Sequence, residues 1–402
     1  MGSGGYDVIS IIHLITGLQT GGAERMLARL VAGMDRHRFH NTVVSMTELG
    51  AIGEEVAGSG TSTISLGMRR GVANPLGLVR LIDLLRERRP TILQTWLYHA
   101  DLMGMTAGHI AKVPHILWNV RCSDMNMQDY RWMSRPLPRL LAKLSPAPDA
   151  VIINSETGRR VHEDYGYRPR VWKLIQNGFD LTRYRPDGAA RRRLRAELGV
   201  ADDTVLIGLP ARFDPMKDHL TFLAAATDLI GKEPNVGFVL IGRGLTASNQ
   251  WLVSRIAACG LERHVHLLGE RKDMDTLLPG LDIVTLSSAF GEGFPNVLGE
   301  AMACGVPCVS TDVGDAAPIV GETGLIVAAR DPTAMVVAWR TLILAGAERR
   351  GELGRQARAR IAEQFSLPAI IGRYESLYEE VAGVRRPAIG VASAEKELAL
   401  TV

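Results

Sequence analysis

Short runs of β-branched and aliphatic residues recur along this chain in two series, separated by stretches with helical spacing. The first series is VISIIHLI (8–15), NTVVSM (41–46), TILQTW (91–96), HILWNV (115–120) and AVIINS (150–155). The second is TVLIGLPAR (204–212), VGFVLIGRG (236–244), VHLLGE (265–270), DIVTLSS (282–288), CVSTDVG (308–314) and GLIVA (324–328). Strand–helix–strand alternation predicts parallel sheets covered on both faces. Eleven strands in two groups predict an α/β fold of two doubly wound, Rossmann-like domains, and 402 residues suffice for two separate cores. The split falls at 175–190, where Asn177-Gly178 and Arg185-Pro186 punctuate the chain. The expected domains are 1–180 and 188–365. Residues 366–383 carry apolar side chains at helical spacing and should pack as a helix across both domains, leaving 384–402 as a mobile tail.

Composition narrows the function. A net charge of +3 is too small to suggest nucleic-acid binding. It is unevenly spread: residues 1–180 carry 21 basic and 16 acidic side chains, the remainder 25 and 27. A mildly basic first half can rest on an anionic membrane, although a solvated basic face gives the same count. Cys122, Cys259, Cys304 and Cys308 show neither a Cys-x-x-Cys pair nor zinc spacing, the pattern of reduced thiols in a cytoplasmic protein. VISIIHLITGL lacks the basic flank of a signal peptide, and AMVVAWRTLILAGA is short and broken by Arg340, so no transmembrane helix is expected.

The segment FGEGFPNVLGEAMACG (290–305) concentrates the chemistry. Pro295 suits the first turn of a helix, where its missing N–H would have been unpaired anyway, and that helix should stop at Gly305. Glu292 then lies in the loop before the helix and Glu300 one turn inside it. Between them a helix N-terminus offers unpaired N–H groups at the C-terminal end of a strand, where open α/β sheets bind ligands and phosphates. Carboxylates repel phosphate, so the two glutamates should face sugar hydroxyls of the same ligand. Upstream, GLPARFDPMKDHL puts Arg212 at a strand end and Lys217 near the next helix. A planar fork and a mobile ammonium both suit diphosphate oxygens, and two fixed cations would stabilise a departing nucleoside diphosphate without a metal. Taken alone, the two glutamates fit a surface residue and a helix-dipole partner as well, and a lone Arg212 and Lys217 would sooner be surface ion-pair partners.

Together these residues resemble the Glu-x7-Glu motif of the retaining, nucleotide-sugar-dependent glycosyltransferases with the GT-B fold, the group 1 type. The resemblance spans nearly the whole chain: TGGAERML (20–27), HADLMG (99–104), NGFD (177–180), ARFDPMKDH (211–219), IGRG (241–244) and EGFPNVLGEAMACGVPCVSTDVG (292–314) occur in the family's order. It implies an acceptor-binding first domain and a donor-binding second. It implies Glu300 on the nucleotide ribose, Glu292 on the donor sugar, Arg212 and Lys217 on the diphosphate, and His99 reaching the donor sugar across the cleft. Gly21 and Gly22 would lie in a loop that closes on phosphate and acceptor. Gly242 and the backbone of Asn296, Val297 and Leu298 complete the expected donor site. The co-substrate would be a UDP- or GDP-sugar, with no cofactor and no metal required. Two departures bear on base or donor preference: Arg243 stands where relatives often carry an acidic residue, and TDVGDAAPIV lacks the second glycine and the glutamate that often follow the strand.

Two further segments have competing readings. KDMD (272–275) resembles the Asp-x-Asp metal motif of a different glycosyltransferase fold, but its position favours a helix start with Asp273 as cap. RWMSRPLPRLLAKLS (131–145) sets Arg131, Arg135, Arg139 and Lys143 four apart among apolar residues, the pattern of a basic helix on an anionic membrane. Pro136 and Pro138 interrupt it, and a domain helix with a solvated basic face fits as well. The expected activity is sugar transfer, with retention, to a sugar or lipid-linked acceptor in cell-envelope or exopolysaccharide synthesis, by a cytoplasmic protein that touches the inner membrane face. A GT-B epimerase or a non-catalytic nucleotide-sugar-binding subunit is the alternative.

Overall fold

In the computed structural model, residues 8–19, 21–69, 74–121 and 137–384 are described. The first part of the amphipathic basic segment, 131–136, and all but the first residue of the expected tail lie outside them, as does Cys122.

Among the described residues thirteen strands form two parallel sheets. The first sheet takes β1 (Ile9–Ile15), β2 (Phe39–Ser45), β3 (Ser62–Ser65), β4 (Ile92–Trp96), β5 (His115–Val120), β6 (Ala150–Ile153) and β7 (Trp172–Leu174), in the order β3-β2-β1-β4-β5-β6-β7. The second takes β8 (Val205–Pro210), β9 (Val236–Ile241), β10 (Val265–Gly269), β11 (Ile283–Leu286), β12 (Cys308–Thr311) and β13 (Leu325–Val327), in the order β10-β9-β8-β11-β12-β13. All eleven expected strands are present. The two unforeseen ones, β3 and β7, are the edges of the first sheet, where Ser62–Ser65 and Trp172–Leu174 are half-buried or exposed. An edge strand needs no continuous apolar run, so the sequence marks it weakly.

Each sheet reverses its order once, between β1 and β4 and between β8 and β11. Loops that leave the C-terminal ends of two such strands diverge to opposite faces and leave a crevice. The loops after β1, β4, β8 and β11 carry the segments singled out above.

The chain crosses between the sheets twice, and the two crossings are bonded to each other. Phe179 N donates to Phe365 O, and Leu367 N to Phe179 O, both at 2.9 Å. Gly178 is required by this approach, since a Cβ there would lie 2.9 Å from Leu367 Cα. After the second crossing the helix Leu367–Ala382 returns to the first domain. Its Ile370, Ile371, Tyr374, Leu377 and Tyr378 pack in one core with Ile11, Leu27, Val43 and Trp96. The Tyr378 hydroxyl bonds Gln94, and Asn119 Nδ2 donates to the Tyr374 hydroxyl at 3.1 Å.

Phe179 stacks on Phe294 at 6.1 Å between centroids, directly under the helix Asn296–Ala303. Gly299 of that helix has no room for a methyl, whose carbon would lie 2.1 Å from Phe179 Cζ. Gly299→Ala should therefore destabilise the fold by about 1–3 kcal/mol through overpacking. A urea unfolding curve checks this; an unchanged midpoint would mean that the ring moves aside freely.

Candidate active site

Lys217 is placed by the turn that leaves β8. Asp214 accepts from Met216 N at 2.9 Å and starts the single turn Pro215–Lys217. Asp218, at φ 45°, then swings the chain into the helix His219–Ile230, and its carboxylate accepts from the Thr221 N at 3.2 Å and from the Thr221 hydroxyl at 2.7 Å. Neighbouring β11 fixes the same turn: Ser287 Oγ donates to Lys217 O at 2.7 Å and Ala289 N to Met216 O at 2.8 Å. The Lys217 ammonium thereby reaches Glu292 Oε1, which also accepts from Ser288 Oγ at 2.6 Å. Glu292 is only 9% exposed. A carboxylate that deep needs its charge answered, and an ammonium and a hydroxyl answer it.

The helix Asn296–Ala303 follows. Pro295 is its N-cap rather than its first turn: with ψ at 99° it is extended, and Asn296 is the first helical residue. The N–H groups of Asn296 and Val297 thus open the helix ahead of its internal ladder. Leu298 is fully buried and Val297 half-buried, so what these two can offer a ligand is backbone. Glu300 lies one turn in. Burial raises its pKa, against the pull of Arg29 and a hydrogen bond from Tyr184. Arg29 comes from the other domain, its Nη2 3.7 Å from Glu300 Oε1, on the helix Gly22–Gly33.

The first domain closes over this edge. Gly22 lies against Asn296, whose Nδ2 would be 3.3 Å from a Cβ at 22. Gly21 is the N-cap of the helix that carries Arg29. Asn177, at the crossing, donates from Nδ2 to Asn296 Oδ1 at 2.7 Å and accepts from Arg121, which stacks over Trp96 at 4.9 Å. His99 is exposed in the first turn of the helix Tyr98–Ala111. The residue before that helix, Leu97, holds φ 75° and ψ 153°, a conformation that costs a non-glycine residue roughly 1–3 kcal/mol. Such strain gathers at sites where a side chain must be aimed.

Arg212 does not join Lys217 and Glu292. It is half-exposed and its Nε donates to Asp214 Oδ2 at 2.9 Å. Gly242, at φ 151°, passes so close to β8 that a Cβ would lie 2.0 Å from Ala211 O, and this packing alone requires glycine. Asp273 stands at the N-cap of a short helix but does not cap it with its side chain; both its oxygens serve Arg271, at 2.9 and 2.7 Å. Among the described residues no group of three or more His, Cys, Asp or Glu is placed to hold a metal ion. No described helix is long and apolar enough to cross a membrane.

Sequence reasoning missed Arg29, Arg121, Tyr184 and Ser288. Arg29 lies two positions past the quoted TGGAERML and on the same helix face as Arg25, which was a usable signal. Arg121 and Tyr184 sit in no motif that distinguishes them from surface residues.

Residues 20–183 match the family described as Glycosyltransferase Family 4, and residues 204–345 match the family described as Glycosyl transferases group 1. EpsF of Bacillus subtilis (strain 168), which carries the name of a glycosyltransferase, is 29% identical over 75% of this chain and 79% of EpsF. D-inositol 3-phosphate glycosyltransferases of Rhodococcus erythropolis and Mycobacterium tuberculosis are each 31% identical, over 54% and 62% of this chain and about half of their own length. Among solved structures, HepE of Anabaena in complex with UDP aligns with a TM-score of 0.80 over 92% of this chain and 100% of HepE, at 23% identity. Sucrose-phosphate synthase of Thermosynechococcus elongatus aligns with a TM-score of 0.74 over 94% of this chain and 100% of that one, at 18% identity. The fold is GT-B.

His219, under Lys217, is buried with its pKa lowered to about 4 by desolvation and by the Lys217 charge. It is neutral when folded and takes a proton near pH 6.5 when unfolded, so its contribution to stability is present above pH 6.5 and is lost as pH falls towards 4. Asp101 and Glu300, whose pKa values are raised by burial, act with the opposite sign. Comparison with His219→Gln isolates the histidine: between pH 7 and 5 the wild type should lose more stability than the variant, by up to about 1.4 kcal/mol per pH unit. Urea unfolding at both pH values reads the difference, and parallel slopes would contradict it.

Proposed function

We propose that this chain, a member of the group 1 glycosyltransferases, moves a sugar from a nucleotide diphosphate sugar to an acceptor hydroxyl with retained anomeric configuration. The observation that carries the proposal is the meeting of Lys217 and Glu292 beside the open N-terminus of the helix Asn296–Ala303, with Glu300 one turn further in. A diphosphate would take the helix N–H groups and the Lys217 ammonium, with Arg212 free to swing in from its half-exposed position. Glu300 would accept from the ribose hydroxyls and Glu292 from those of the transferred sugar. His99 would meet the sugar from the first domain.

In the transfer, the bond from the anomeric carbon to the phosphate oxygen breaks and the acceptor oxygen bonds the same carbon from the same face. The acceptor proton passes to the departing phosphate oxygen. Negative charge grows on the diphosphate, and fixed N–H dipoles and cations stabilise it most in the transition state. Glu292 then orients the sugar and is not a covalent nucleophile. No metal is required for this charge balance.

The UDP and UDP-glucose complexes of HepE support a UDP-sugar donor, with GDP as the other candidate. For the acceptor we favour a sugar or lipid-linked intermediate of polysaccharide assembly. The helix Leu137–Leu144 presents Arg139, Leu140 and Lys143 outward, a small basic and apolar face suited to an anionic membrane surface.

Thermal shift and sugar release, with UDP-, GDP- and ADP-sugars in EDTA, test the reading; no shift and no turnover with any donor, with or without divalent metal, would overturn it. Glu292→Gln should keep its bond from Ser288 but lose its charge, so kcat should fall about 100-fold or more while nucleotide Kd stays within about threefold. Normal turnover in this variant would remove Glu292 from the chemistry.

A further inference from the structure

Asp315 begins the short helix Ala316–Val320 without capping it by its side chain. Its carboxylate crosses to the other domain instead. Oδ2 accepts the backbone N–H of Glu156 at 2.8 Å and Oδ1 that of Thr157 at 2.9 Å. These are the first two N–H groups of the helix Glu156–Asp164. The third, on Gly158, goes to Ser155 Oγ at 3.0 Å, and the fourth, on Arg159, to the Ser155 carbonyl at 3.1 Å. Half of a helix N-terminus in the first domain is thus satisfied by the second, through a carboxylate that is 5% exposed. Negative charge at the positive end of a helix, bonded to two N–H donors, is a strong form of cap.

The main chain ties this contact to both halves of the candidate site. Asp315 N donates to Gly293 O at 2.8 Å. Gly314, at φ 65°, runs so close to the same loop that a Cβ there would lie 2.5 Å from Glu292 O. On the far side, the capped helix carries His162, which is fully buried. Its Nδ1 meets the Gly158 carbonyl at 2.7 Å and its Nε2 the Tyr98 hydroxyl at 2.8 Å. Tyr98 opens the helix that bears His99. Glu292 and His99 are therefore linked across the cleft by an unbroken set of contacts, and Asp315 is the member that spans the domains.

We propose that Asp315 is a positioning residue that latches the second domain onto the first and holds His99 in register with Glu292. Its kinetic consequence rests on the glycosyltransferase reading above; its conformational consequence does not.

Asp315→Ala should enlarge the radius of gyration of the ligand-free protein in small-angle scattering. It should lower kcat about 10- to 100-fold, with donor KM and nucleotide Kd within about threefold, because the groups that hold the nucleotide are untouched. Asp315→Asn, which keeps one acceptor oxygen, should fall between. Ser155→Ala removes the cap on Gly158 N from the same helix and leaves Asp315 with its bonds to Glu156 and Thr157, so it should lower Tm and leave scattering and kcat at wild-type values. If Asp315→Ala leaves scattering and kcat unchanged, or if Ser155→Ala lowers kcat equally for the same loss of Tm, the latch is overturned. A wild-type protein that transfers no sugar would count against the transferase reading instead, and the scattering comparison would still decide on the latch.

Discussion

The pair of hydrogen bonds between Phe179 and its partners Phe365 and Leu367 is the constraint on which the rest of the molecule hangs. Two domains joined by one strand could swivel freely. Joined by two strands that are zipped together, they share one short hinge. The hinge is dry: Phe179, Phe294 and Phe365 are buried against one another, and the helix Asn296–Ala303 sits on them with a glycine where contact is closest. The candidate diphosphate cradle is therefore built directly on the hinge, and Asn177, two residues before Phe179, bonds the first residue of that cradle.

Helix N-termini recur as the physical theme. Parallel topology delivers several of them to one edge, and each arrives with donors that the helix itself cannot satisfy. The molecule treats them differently. Asp218 and Thr221 settle the helix His219–Ile230 locally. Asp315 settles the helix Glu156–Asp164 from the opposite domain. The helix Asn296–Ala303 has no side-chain cap, because proline holds the N-cap position. An uncapped helix start beside an ammonium favours added negative charge.

Much of this was legible in the sequence. Nine of the described strands have a neighbour on each side within their sheet, and apolar runs mark such strands readily. The placement of Lys217 at the turn after β8, of Glu292 before the helix and of Glu300 one turn inside it was legible because it follows from distance to a strand end. What was not legible depends on partners far away in the chain. Nothing local distinguishes Asp315 from an ordinary helix cap, and only the fold shows its carboxylate on a helix 159 residues earlier. Nor could the sequence show that Arg212, at the end of β8, is held by Asp214, two residues on. Nothing local to Gly242 announces that its glycine is also required by the close approach of Ala211 O. The edge strands β3 and β7 escaped because half-exposed serines and a three-residue run leave no periodic mark.

Contacts between the domains divide by chemistry. At the hinge and along the returning helix they include a large aromatic and aliphatic core beside a few polar bonds, and separation there would expose apolar surface at about 25 cal/mol per Å². Across the cleft the contacts named above are polar: Arg29 with Glu300, Asn177 with Asn296, and Asp315 with the N–H groups of Glu156 and Thr157. Water can replace each of these at a net cost of about 0.5–1.5 kcal/mol, or somewhat more where a charge is involved. A chain organised in this way can open at the cleft without opening at the hinge. On the proposed reading, donor entry would use the first motion, and alignment of His99 with Glu292 would need it to be reversible. The distribution of apolar and polar contacts, more than any single residue, is what makes a two-domain transfer site workable on this fold.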